Sequence, residues 1–118
     1  SDYNMSLLEA VFARGDRKLG KVIYKAWESG CSLDAWNEYF DFAKWEKAFD
    51  ECGVDAAFYA NRRRDYNEEL PWEHIDMMIS REFLIRENKR ALEGLTTGNC
   101  GEKCAGCGID NCEYRRNL

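Results

Sequence analysis

Apolar residues recur at helical spacing through most of the chain, and polar residues between them supply start and stop signals. Ser6-Leu7-Leu8-Glu9 has the form of a capping box and predicts a helix start at Ser6, with Gly15 as the stop. Asp16 then caps a second helix that places Leu19, Val22, Ile23, Ala26 and Trp27 on one buried stripe and ends at Gly30. Asp41 caps a third, in which Phe42, Trp45, Phe49 and Cys52 recur every three or four residues before Gly53. Cys52 is thus expected in the core. A short helix from Asp55 through Ala60 carries Phe58 and Tyr59.

The polar stretch from Asn61 to Glu69 breaks this pattern and predicts an exposed loop. Pro71 restricts Leu70 to an extended conformation. Ser80 caps a last helix running through Leu92, with Phe83, Leu84, Ala91 and Leu92 as its buried stripe and Glu82 within pairing reach of Arg86. No alternating strand pattern of useful length is present, so the expected fold is mainly α, a small helical domain with helix-on-helix packing. Trp27, Trp36, Trp45 and Trp72 are its expected large fillers.

A chain of 118 residues is long enough for one hydrophobic core, and 45% hydrophobic with 14% aromatic residues can fill it. The net charge of −5 sets the surface as a whole against phosphate backbones and anionic membranes. No stretch has the length and apolarity of a membrane span, and the first residues lack the pattern of a secretory signal. The expected setting is cytoplasmic, without membrane attachment.

Six cysteines in a short chain could form a disulfide scaffold, but four of them crowd into thirteen residues, which favours metal. Cys100, Cys104, Cys107 and Cys112 are separated by three, two and four residues, with Gly101, Gly106 and Gly108 letting the backbone curl around a small centre. Within Cys104-Ala105-Gly106-Cys107-Gly108, the two-residue gap and the following glycine form a knuckle whose free amides can point at sulfur. Four thiolates suit tetrahedral zinc and also a [4Fe–4S] cluster. Zinc is the first expectation, because two-residue cysteine spacings beside glycine are commonest in structural zinc knuckles. Residues 1–95 are expected as a helical accessory domain and 96–118 as the metal-binding tail.

Cys100, Cys104 and Cys107 also reproduce the three-then-two spacing with which radical SAM enzymes hold their catalytic cluster. Here, however, Gly106 replaces the aromatic residue usual before the third cysteine. Cys112 would close the iron site that must stay open for S-adenosylmethionine.

The run from Leu8 to Arg17, Phe40-Asp41-Phe42 with Trp45, Phe58-Tyr59-Ala60, Leu70-Pro71-Trp72 with His74-Ile75, and the closing cysteines carry a further likeness. On these residues, nearly the whole chain resembles the C-terminal portion of a family of large, B12-binding-type radical SAM proteins. It departs at Glu73, where the family usually has Asp, and at Met77 and Met78, which replace smaller residues. The resemblance implies a parent enzyme using S-adenosylmethionine and a [4Fe–4S] cluster, and a cobalamin-binding domain, on a substrate not established for the family. Neither the barrel nor its cluster motif lies in these 118 residues. The segment itself is therefore expected to be a non-catalytic accessory domain that gives structural support or docks substrate or a partner, with the rest of the parent polypeptide as its first partner. A zinc-stabilised RNA- or protein-interaction module and an auxiliary [4Fe–4S] redox module are the alternatives.

His74 is the only histidine and has no legible nucleophile or acid partner beside it, so a structural role is expected. Arg62, Arg63 and Arg64, with Arg115 and Arg116 beside Tyr114, are where RNA phosphates or a partner would be met. Asp65, Glu68 and Glu69 offset the first three, and the overall acidity opposes RNA. Asp34, Glu38 and Asp41 fall at expected helix starts, where capping explains them. Cys31, in the turn after Gly30, reads either as an exposed thiol or as a small apolar filler.

Overall fold

The computed structural model describes residues 2–113, which form helices and connecting turns and, among the described residues, no strand. The chain divides between Asp65 and Tyr66 into two compact units. The last of the five α-helices among the described residues, expected to belong with the others, falls in the same unit as the cysteine segment.

The first unit holds α1 (Tyr3–Ala13), a 3-10 turn (Arg17–Leu19), α2 (Gly20–Glu28), α3 (Phe42–Cys52) and α4 (Ala56–Asn61). Helix α1 starts ahead of Ser6, because the Asp2 carboxylate accepts from the Asn4 amide at 2.8 Å. The Ser6 amide already donates to the Asp2 carbonyl, so Ser6 lies inside the first turn and does not begin it. Asp41 caps α3 as expected, Asp16 caps the 3-10 turn while α2 itself starts at Gly20 without a side-chain cap, and Asp55 caps α4; each of the three aspartates accepts from the amide two residues on. Helix α3 closes at Gly53 with φ +62°. At Gly15 the chain passes so close to α1 that a Cβ would stand 2.8 Å from the Val11 carbonyl.

The core takes Leu8 and Val11 from α1, Leu19 from the turn, Val22 and Ala26 from α2, Trp45, Ala48 and Phe49 from α3, and Tyr59 from α4. Phe12 meets Trp45 edge to face, with ring centroids 5.4 Å apart. Phe42, Cys31 and Cys52 are half-buried against this cluster, so both cysteines fill space as small apolar groups. Burial raises the Cys31 thiol pKa, with Asp34 adding to the effect. The stripe on α2 is narrower than predicted: it packs chiefly on α3, so Leu19, Val22 and Ala26 are covered while Ile23 and Trp27 remain exposed. Of the four tryptophans only Trp45 is buried.

Two polar ties close this unit. The Arg14 guanidinium donates to the carbonyls of Ala60 and Arg62, and Arg64 in turn donates to the Arg14 carbonyl. The Tyr59 hydroxyl donates to Asp16 Oδ1 at 3.0 Å.

In the second unit α5 (Arg81–Leu92) begins at Ser80, whose hydroxyl accepts from the Phe83 amide at 3.2 Å. The predicted stripe does not form a core. Leu84, Ala91 and Leu92 are exposed and Phe83 is half-buried, because among the described residues of this unit no second helix packs against α5. None of its described residues is buried. Polar contacts hold it instead: Arg81 donates to the Tyr66 and Glu68 carbonyls and to the Glu73 carboxylate at 2.7 Å, and the Tyr66 hydroxyl to Asn88 Oδ1 at 2.6 Å. Among the described residues, no helix is long and apolar enough to cross a membrane.

Candidate metal centre

The backbone of the second unit presents its cysteines on short, tightly turned segments. Asn99 organises the first turn: its side chain accepts from the Gly101 amide at 2.9 Å and its carbonyl from the amides of Glu102 and Lys103. Cys100 lies within that turn. The next segment is the knuckle, where the Gly106 amide donates to Cys104 Sγ at 3.4 Å. Gly106 and Gly108 have φ of +70° and +95°, a region that side chains rarely adopt, so glycine is what lets this amide face sulfur.

The knuckle is fixed to α5. The Ser80 amide donates to the Cys107 carbonyl at 2.8 Å, and a Cβ on Gly108 would stand 2.8 Å from Ser80 Cβ. Arg86, further along the helix, donates to the Ala105 carbonyl and lies over the Phe83 ring.

Cys100, Cys104, Cys107 and Cys112 all line one cavity of about 510 Å³, walled on its apolar side by Phe83 and Ile109. Among the described residues, no three His, Cys, Asp or Glu side chains are drawn together into a formed metal site. The cysteines share a cavity without meeting at one point. The donor set nonetheless fits a four-thiolate metal, with an amide already donated to one sulfur and glycines at the close approaches. Arg86, Arg90 and Lys103 line an adjacent cavity with Cys104. Four thiolates on a divalent ion leave a net charge of −2, which these cations would offset. The cysteines stand out in the sequence by their spacing, whereas for these three residues the only signal there is the four-residue spacing of Arg86 and Arg90 on one face of a helix.

The other candidates separate. Arg62 lies over the Phe58 ring at 4.5 Å and Arg64 is bonded to Arg14, whereas Arg63 is exposed. Arg115 and Arg116 lie outside the described residues. His74 is exposed in the turn after Pro71. Capping accounts for Asp41 but not for Asp34 or Glu38, since residues 34–39 form turns and no helix starts there. Comparison with protein-family models, with curated proteins and with solved structures gives no match to this chain.

Proposed function

We propose that this chain is a non-catalytic accessory segment of a radical SAM enzyme, whose second unit folds around zinc held by Cys100, Cys104, Cys107 and Cys112. The observation that carries the metal part is the contrast between the two units: among the described residues, every buried one belongs to the first, while the second has cysteines around a cavity and no buried side chain. A small unit without a core needs a cross-link to hold its backbone, and zinc bound by four thiolates supplies that cross-link without chemistry of its own. The accessory role rests on the sequence resemblance. Substrate or partner docking then falls to the surface of the segment, and S-adenosylmethionine, a [4Fe–4S] cluster and cobalamin to the rest of the parent. A [4Fe–4S] cluster on the same thiolates makes the unit an electron carrier instead.

Elemental analysis of protein purified with and without oxygen tests the site. One zinc per chain, lost in Cys100→Ser and in Cys107→Ser but kept in Cys31→Ser, is the expected result. Iron and sulfide in the anaerobic preparation would replace zinc by the cluster, and metal unchanged in Cys100→Ser would overturn the four-thiolate site. Incubation with S-adenosylmethionine and a reductant is expected to yield no 5′-deoxyadenosine from this chain.

A further inference from the structure

The first unit carries two exposed surfaces of opposite charge, each with an apolar centre. The first is a groove of about 600 Å³ between α1, α3 and the start of α4. Leu7, Phe42 and Val54 give it apolar walls, Glu46, Asp50 and Asp55 give it charge, and no lysine or arginine lines it. Glu46 and Asp50 stand one turn apart on α3, exposed and without an ion pair among the described residues. Like charges at that spacing repel, and a cation arriving at the groove relieves the repulsion. Helix α2 has the opposite character. Only Val22 and Ala26 of its nine residues are buried. Ile23, Tyr24 and Trp27 are 48%, 58% and 64% exposed, and the Tyr24 and Trp27 rings lie 5.6 Å apart. Residues 17–28 hold Arg17, Lys18, Lys21 and Lys25 against Glu28 alone, in a chain of net charge −5. Lys25 is shared between Glu28 at 3.5 Å and Glu51 at 4.0 Å, whereas Lys18 and Lys21 are exposed and make no ion pair among the described residues.

We propose that α2 of one copy of this chain docks into the groove of a second copy. Trp27 is the anchor, since an exposed indole seated in an apolar recess is the commonest kind of hot spot. Lys18 and Lys21 then meet the acidic rim formed by Glu46 and Asp50, which fixes the direction of docking and excludes the like-charged pairing of groove with groove. Each surface supplies what the other lacks. A nucleic acid matches the charge and the rings of α2 but leaves the groove unfilled, and a basic protein fits the groove but leaves α2 bare. A second copy accounts for both at once. Because the two patches differ, the contact runs head to tail, and each added copy brings a further free groove or a further free α2 until a ring closes.

Sedimentation equilibrium of the full chain tests this, with a reductant present so that the exposed Cys100 and Cys104 thiols do not cross-link copies. The mean mass is expected to rise past that of a dimer between about 10 μM and 1 mM, the range of a small interface. One variant carries Lys18→Glu with Lys21→Glu, and another Glu46→Lys with Asp50→Lys. All four side chains are exposed, so both variants should keep the helical circular dichroism of the parent chain, and each alone should stay monomeric over that range. An equimolar mixture of the two should associate again, because the reversed α2 of one meets the reversed groove of the other. Trp27→Ala should weaken association about tenfold or more. A parent chain that stays monomeric throughout, a mixture of the two folded variants that does not recover, or undiminished association of either variant alone would each overturn the proposal.

Discussion

Ser80 and Cys107 are joined by a 2.8 Å hydrogen bond from the Ser80 amide to the Cys107 carbonyl, while the Ser80 hydroxyl caps α5. One residue thus starts the helix and anchors the cysteine knuckle. Capping leaves the N-cap amide unused within the helix, and here that spare donor is spent on the loop that carries two of the four thiols. Any change at this junction should be felt both in the helix and at the proposed metal site.

Gly108→Ala tests the junction. A Cβ there meets Ser80 Cβ at 2.8 Å and the Ser80 amide nitrogen at 3.1 Å, on a residue whose φ is +95°. Strain on the order of 1–3 kcal/mol is expected, hence zinc affinity about tenfold weaker or worse in competition with a chromophoric chelator. Gly98→Ala, where a Cβ meets nothing within 4 Å, should bind as tightly as the parent chain. Equal affinity for both variants would show that the knuckle does not need its seat on α5.

Chelation should unfold the second unit and spare the first. Leu8, Val22, Trp45 and Phe49 bury their side chains without help from the cysteines, whereas α5 buries none. Amide exchange after metal removal should therefore lose protection along Arg81–Leu92 and retain it in α3. Protection of α5 that survives chelation would show that its polar contacts suffice.

The helices were legible because caps and glycines are local. Asp16, Asp41, Asp55 and Ser80 each satisfy amides two or three residues away, which spacing alone reveals. What spacing does not reveal is how many neighbours a helix has. Trp27 and Leu92 satisfy the helical period and are exposed, since α2 packs chiefly on α3 and, among the described residues, α5 has no helical neighbour in its unit. The cysteine cluster was legible for the same reason as the caps. The burial of Asp34 Oδ1 and Trp45 Nε1 without partners was not, because it depends on how segments distant in sequence pack over them.

Arg14→Ala should destabilise the first unit. Its guanidinium supplies donors to the carbonyls of Ala60 and Arg62 at the end of α4, where few other backbone groups can serve them. A loss of about 1–3 kcal/mol is expected from urea denaturation. Arg14→Lys should recover only part of it, because an ammonium cannot present the planar pair of donors. Full recovery by Lys would mean that charge alone matters.

Tyr59 gives the first unit an alkaline limit. Its ring is buried in the core, and its hydroxyl donates to Asp16 Oδ1 at 3.0 Å. Burial raises the phenol pKa first, and the bond to the Asp16 carboxylate raises it further, since both favour the protonated form. The unfolded phenol titrates near pH 10. Below that pH both states hold the proton and the contribution to stability is constant. Above it the unfolded chain releases the proton first, so stability falls as pH rises from about 10 toward the raised value of the folded state. Other tyrosines, lysines and cysteines titrate in the same range, which makes the useful quantity the difference between the parent chain and Tyr59→Phe. Phe keeps the ring and removes the proton, and Asp16 retains the Lys18 amide as a donor at 2.9 Å. Urea midpoints measured from pH 8 to 11 should show the parent more stable at pH 8, with its advantage shrinking steadily above pH 10. A constant difference across the range would show that the Tyr59 proton is held no more tightly in the fold than in the unfolded chain.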